Sequence, residues 1–127
     1  MARRDQLSNL FSNSMEYVLD AKNQHLGRFA SKIAHLLQGK DTPSYEPRLL
    51  GSNRVIVTNV SKIILTGKKA EQKVYYRHTQ YVGHLKKTTY EQAFQKDPTW
   101  VLRHAVRRML PQNQLRDKRL KMLQLER

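Results

Sequence analysis

The chain contains no cysteine, which excludes disulfides, thiolate nucleophiles and cysteine-ligated zinc. Acidic residues are scarce: 10 Asp and Glu stand against 24 Lys and Arg, a formal net charge of +14 over 127 residues. So basic a chain repels itself at neutral pH, and a polyanion is the simplest partner to relieve that repulsion. No apolar run approaches the length needed to span a bilayer, so a lipid partner would have to be an anionic membrane surface. Residues 1–16 have an arginine pair but no apolar core or small-residue cleavage site, and do not read as a secretory signal. The chain carries no internal repeat and no low-complexity tract.

The chemistry of catalysis is sparse as well. The histidines are His25, His35, His78, His84 and His104, and no two form a ligand pair on one helix, which argues against a metal site. No serine lies in a nucleophile-elbow pattern, so nothing supports a Ser-His-Asp triad. Phosphate-loop signatures also fail. Gly39-Lys40 is preceded by Ala34 where the motif needs glycine, and Asp41 takes the place of its hydroxyl residue. Gly67-Lys68 has Lys62 and Lys69 at the same two positions. The turn before the first helix holds only Gly27, which is no dinucleotide fingerprint. No catalytic residue, cofactor or metal is therefore expected.

Length allows one domain with a real core. We divide the chain into an N-terminal arm, residues 1–16, and a single domain, residues 17–127, that includes a basic C-terminal tail. Tyr17-Val-Leu-Asp20 reads as a strand followed by a polar turn. In residues 26–38 the apolar positions Leu26, Phe29, Ala30, Ile33, Ala34 and Leu37 recur at helical spacing, with Arg28, Lys32 and His35 on the other side. Gly39 is placed to stop that helix with a left-handed cap, and residues 41–47, with two prolines, form a loop.

Val55-Ile-Val57 has the composition of a strand covered on both faces, and Ile63-Ile-Leu65 repeats it. Strand, helix, strand implies a parallel, right-handed crossover. Residues 74–78 read as a further strand, and residues 88–95 as a short helix capped by Thr88 or Thr89. Asp97 followed by Pro98 announces a clearer helix that Pro111 must end. Its face of Leu102, Ala105, Val106, Met109 and Leu110 opposes Arg103, His104, Arg107 and Arg108. A final basic helix anchored by Leu120 and Leu123 is expected after Pro111.

Against this background one stretch stands out. Residues 73–87, KVYYRHTQYVGHLKK, interleave aromatic rings, cations and histidines with no acidic residue. Cations offer phosphates counter-charges and flat rings offer bases a stacking surface. The same residues could also make an ordinary half-buried strand with a solvated turn. For His78 both a strand-end hydrogen-bond donor and a stacking or phosphate contact are open.

The segments LDAKNQHLGRFASKIAHLLQGK, VIVTNVSKIILTGKKAEQKVYYRHTQYVGHLKK and DPTWVLRHAVRRMLPQNQL, in this order, resemble the universal large-subunit ribosomal protein family thirteen, of bacterial or organellar type. The LGR helix start, the TGKK turn, the YYRHT segment and the AVRRMLP helix end carry the resemblance. It implies a three-layer α/β/α domain with a small, mostly parallel sheet, a basic N-terminal arm and a basic C-terminal helical tail. It also implies no enzymatic activity, binding to large-subunit rRNA early in subunit assembly, and neighbouring large-subunit proteins as partners. The setting would be the cytoplasm of a bacterium, or alternatively an organelle, with no membrane and no small-molecule substrate. Carried over by position, RNA contact is expected at Arg28, Lys32, Lys68, Lys69, Tyr76, Arg77, His78, Tyr81, Lys86, Lys87, Arg107 and Arg108. The turn departs from the family pattern, since Gln80, Val82 and His84 replace two glycines and a proline. Two other classes compete: a small nucleotide-binding or RNA-modifying enzyme on the same core, and a DNA-binding regulator using residues 97–110 as its recognition helix.

Overall fold

The computed structural model describes residues 15–127; the expected N-terminal arm lies almost wholly outside the described residues. Strand β1 (Glu16–Asp20) leads into helix α1 (Leu26–Gln38) and strand β2 (Arg54–Thr58). A 3-10 turn (Val60–Lys62) and the one-turn helix α2 (Lys69–Gln72) follow. Next come the hairpin strands β3 (Val74–His78) and β4 (Leu85–Thr89), and helices α3 (Tyr90–Lys96) and α4 (Pro98–Met109). Helix α5 (Leu115–Lys121) and strand β5 (Leu123–Leu125) end the described fold. The protein is mixed α/β with a small parallel sheet.

β2 is the central strand of three, with β1 parallel on one side and β5 parallel on the other. The expected parallel crossover from β1 through α1 to β2 is therefore present. Val55 and Val57 are fully buried, whereas Ile56 is only partly covered and lies opposite Val18, which is 69% exposed. The triplet is thus not covered on both faces, because alternate side chains of a strand point to opposite faces. Tyr17, Leu19, Leu123 and Leu125 share the covered face with the two valines and join the core.

α1 has the predicted amphipathic face: Leu26, Phe29, Ala30, Ile33, Ala34 and Leu37 are buried, while Arg28, Lys32 and His35 are exposed. Gly39 adopts φ 77° and its amide turns back to the carbonyls of His35 and Leu36, the left-handed stop that costs glycine least. Ile63-Ile-Leu65 does not form the expected strand. Only Ile64 makes a bridge, parallel to His25. Its amide donates to Gln24 O (3.0 Å), and its carbonyl accepts from Leu26 N (3.1 Å). The segment's hydrogen bonds therefore serve the otherwise unpaired start of α1, not a sheet.

The two later helices begin as their sequences predict. Thr89 caps α3 through a capping box with Gln92, and Asp97 caps α4 by accepting from the Thr99 amide (3.1 Å), with Pro98 in the first turn. Val101, Leu102, Val106 and Leu110 are buried, but Met109 is 40% exposed, so the buried face of α4 is turned toward Val101. α1 and α4 pack on one another, and Ser31 Oγ donates to Met109 Sδ at 3.2 Å.

The C-terminal segment is helical only in part. Leu123 is buried, yet it belongs to β5, where Val55 N donates to Met122 O (3.2 Å) and Glu126 N to Val57 O (2.8 Å). What the sequence presents as a basic tail is thus tied into the sheet. Arg119 is 1% exposed: its Nη2 donates to Leu49 O (3.0 Å) and its Nε to Leu50 O (3.3 Å).

Candidate nucleic-acid interface

The antiparallel register of β3 and β4 puts Arg77 directly opposite Lys86, and Tyr76 opposite Lys87. Directly opposed residues share a face, so Arg77 and Lys86 form a like-charged pair, an arrangement that destabilises a ladder unless an anion intervenes. Lys87 Nζ lies 6.0 Å from the centre of the Tyr76 ring, a contact in which the ring face attracts the cation. Tyr76 and Tyr81 are 63% and 73% exposed, far more than a ring committed to a core. At the tip, Gln80 is held at φ 69°, a left-handed conformation that side chains rarely adopt. His78 Nδ1 accepts from the Gln80 amide (2.9 Å) and stabilises that turn, so this nitrogen is an acceptor, unlike the strand-end donor that was one of the two readings left open. Tyr81 meets His84 edge-on at 6.3 Å.

All twelve residues expected to contact RNA are exposed. The hairpin brings together Tyr76, Arg77, His78, Tyr81, Lys86 and Lys87. Lys69 and Arg108 join Tyr76 and Arg77 around a cleft of about 730 Å³ between the hairpin and α4. Arg28 and Lys32 stand on the outer side of α1, Lys68 caps α2 and Arg107 lies on α4, none of them lining that cleft. Among the described residues the ion pairs are Arg48 with Glu46, Arg54 with Glu16 and Arg127 with Asp97. None of the twelve takes part, so their charge is presented outward.

Three cleft residues were not among the expected RNA contacts. Tyr75 meets Trp100 edge-on at 5.1 Å and His104 edge-on at 5.3 Å, while Trp100 and His104 stack at 4.9 Å. Trp100 and His104 are one helical turn apart, and that i, i+4 spacing was the available signal. Burial pushes the Tyr75 hydroxyl up to about 12, with a smaller contribution from Tyr90. His104 is held below its ordinary value by burial first, then by Arg108, Lys73 and Arg107. Lys73 is lowered likewise, by burial and then by Lys69 and Arg108. The cleft therefore concentrates positive charge beside aromatic rings.

Among the described residues the cleft's one carboxylate is Asp97, which accepts from Thr99 and faces Arg127. Among the described residues no cluster of His, Asp or Glu could hold a metal, and no helix is long and apolar enough to cross a membrane.

These features define a class: a small, strongly basic α/β protein that presents cations and aromatic rings together on an exposed surface. The family described as Ribosomal protein L13 matches residues 14–125, and the chain belongs to that family. It is 50% identical over 99 residues to the large ribosomal subunit protein uL13 of Chloroflexus aurantiacus (strain ATCC 29366 / DSM 635 / J-10-fl), covering 78% of this chain and 69% of the relative. It is 48% identical over 109 residues to uL13 of Roseiflexus sp. (strain RS-1), covering 86% and 75%. The uL13 of Desulfotalea psychrophila (strain LSv54 / DSM 12343) is 45% identical over 109 residues, covering 86% and 77%. The family is one of ribosomal structural proteins.

Proposed function

We propose that this protein is a structural constituent of the large subunit of a bacterial ribosome, in the cytoplasm, and that it binds large-subunit rRNA and supports early subunit assembly and translation. Neighbouring large-subunit proteins complete its partners. The observation that carries the RNA-binding part is the β3–β4 register, which sets Arg77 against Lys86 and Tyr76 against Lys87, with no ion pair to these cations among the described residues. A phosphate between Arg77 and Lys86 removes their repulsion, and an exposed tyrosine provides a surface for an unstacked base. Arg28, Lys32, Lys68, Arg107 and Arg108 extend the charged surface around the hairpin's setting. The names of the bacterial relatives support the ribosomal context.

The test is binding of the protein to a large-subunit rRNA fragment at a series of salt concentrations. In the Arg77→Ala/Lys86→Ala double variant, affinity falls and the slope of log affinity against log salt flattens by roughly one to two units. An unchanged slope and affinity would reject the hairpin as the contact.

A further inference from the structure

We propose that the cleft between the β3–β4 hairpin and α4 takes one unstacked base of single-stranded RNA against Trp100, with the adjoining phosphates held by Lys69, Lys73 and Arg108. This rests on the RNA-binding reading above and assigns it a specific subsite. It shares the hairpin contact's chemistry, a phosphate beside an aromatic ring, but centres on Trp100, Lys69, Lys73 and Arg108 instead of Tyr76, Arg77 and Lys86.

Shape and ring geometry come first. The cleft has a volume of about 730 Å³, within the range of pockets that take small organic ligands. Trp100 lines it and remains 42% exposed, although it is the largest apolar side chain on α4. A cluster serving only the core would cover that ring. Instead, Trp100 is held by His104 stacked on one face at 4.9 Å and by Tyr75 set nearly perpendicular at 5.1 Å. The platform is therefore ordered before any ligand arrives, and a base settling on it loses little further freedom.

Charge supplies the second argument. Lys69, Lys73 and Arg108 line the same cleft, and no ion pair among the described residues involves them. They are close enough that Lys69 and Arg108 disfavour the charged form of Lys73. Three cations gathered at the expense of mutual repulsion are relieved by an anion with several oxygens, and a phosphodiester has that charge. Among the described residues the only carboxylate lining the cleft is Asp97, which accepts from Thr99 N and Oγ1 and faces Arg127 at 3.7 Å. A flat aromatic platform beside a phosphate-binding set is the chemistry of a nucleotide within a strand.

The chain's single tryptophan makes the test direct, because emission excited at the red edge of absorption, where the 6 tyrosines do not absorb, reports on Trp100. The full chain is titrated with a short oligoadenylate, and separately with AMP and with inorganic polyphosphate. The expected result is saturable quenching by the oligonucleotide. Followed by anisotropy of a labelled oligonucleotide, Trp100→Ala weakens binding about 5- to 100-fold. Lys73→Ala/Arg108→Ala, a change at exposed cations that spares the packed core, weakens it about tenfold.

Quenching by AMP at concentrations as low as the oligonucleotide's would overturn the strand assignment in favour of a free nucleotide. Polyphosphate quenching as strong as the oligonucleotide's would reduce the cleft to a charge site and overturn base stacking. An rRNA fragment that binds wild type and Trp100→Ala equally overturns the cleft and leaves RNA binding standing, whereas a fragment that binds neither overturns both.

Discussion

Arg119 is the only charged side chain among the buried residues described, with 1% of its surface exposed. Its two hydrogen bonds reach the carbonyls of Leu49 and Leu50, about seventy residues earlier, and so fasten α5 to the loop ahead of β2. A guanidinium is suited to this because its planar fork delivers directed donors while its stem packs in the core. Arg119→Ala removes both bonds and leaves two carbonyls short of partners. The expected loss is about 3 kcal/mol of unfolding free energy, read from the urea midpoint; a loss within about 0.5 kcal/mol, as for an ordinary surface change, would contradict this role. Sequence reading groups Arg119 with the surface cations of the tail, since arginine is rarely buried and its neighbours Arg116, Lys118 and Lys121 give no contrast. Gly39 was legible for the opposite reason: a glycine after the last apolar repeat has a local cause, the left-handed stop it makes at φ 77°.

Among the elements, α4 joins core, cleft and charge. Its start was legible because Asp97 and Pro98 act on the chain's own next residues. Its other surface was not, because the ring that meets both Trp100 and His104 is Tyr75 of β3, about a fifth of the chain away. That placement gives a pH dependence. His104 is depressed in the fold, mainly by burial and then by Arg108, Lys73 and Arg107, so below the ordinary value of 6.5 the unfolded chain binds more protons than the folded one. Its contribution to stability is therefore complete above about 6.5 and is lost as pH falls through the lowered folded value. Urea midpoints measured between about pH 5 and pH 8 should show that acid loss, and His104→Gln should make it shallower. Equal acid sensitivity of the two proteins would remove His104 as its source. The β3–β4 hairpin was half legible: the aromatic run marked β3, but β4, LKKTT, lacks an apolar alternation and becomes a strand by pairing with β3.

At the scale of the whole molecule, a formal charge of +14 opposes compaction, and the ion pairs described are few and exposed. Screening should then stabilise the isolated protein. Raising monovalent salt from about 0.05 to 0.5 M shortens the screening length severalfold, and the thermal midpoint is expected to rise; a fall would mean that attractive pairs outweigh the repulsion. The helices α1 and α4, the left-handed stop of one and the capped start of the other, and the parallel pairing of β1 and β2 were determined by the sequence alone, as was the display of cations along residues 73–87. Each depends on composition or on residues within a turn or two, where spacing and side-chain chemistry act directly. Only the tertiary structure decided that β5 closes the sheet beside β2, that Ile64 serves the start of α1 instead of a strand, that Arg119 is core, and that Trp100 and His104 meet Tyr75 above a basic cleft. These depend on which distant segments satisfy one another's backbone groups and cover one another's surfaces, a competition settled by the packing of the whole chain rather than by any window of its sequence.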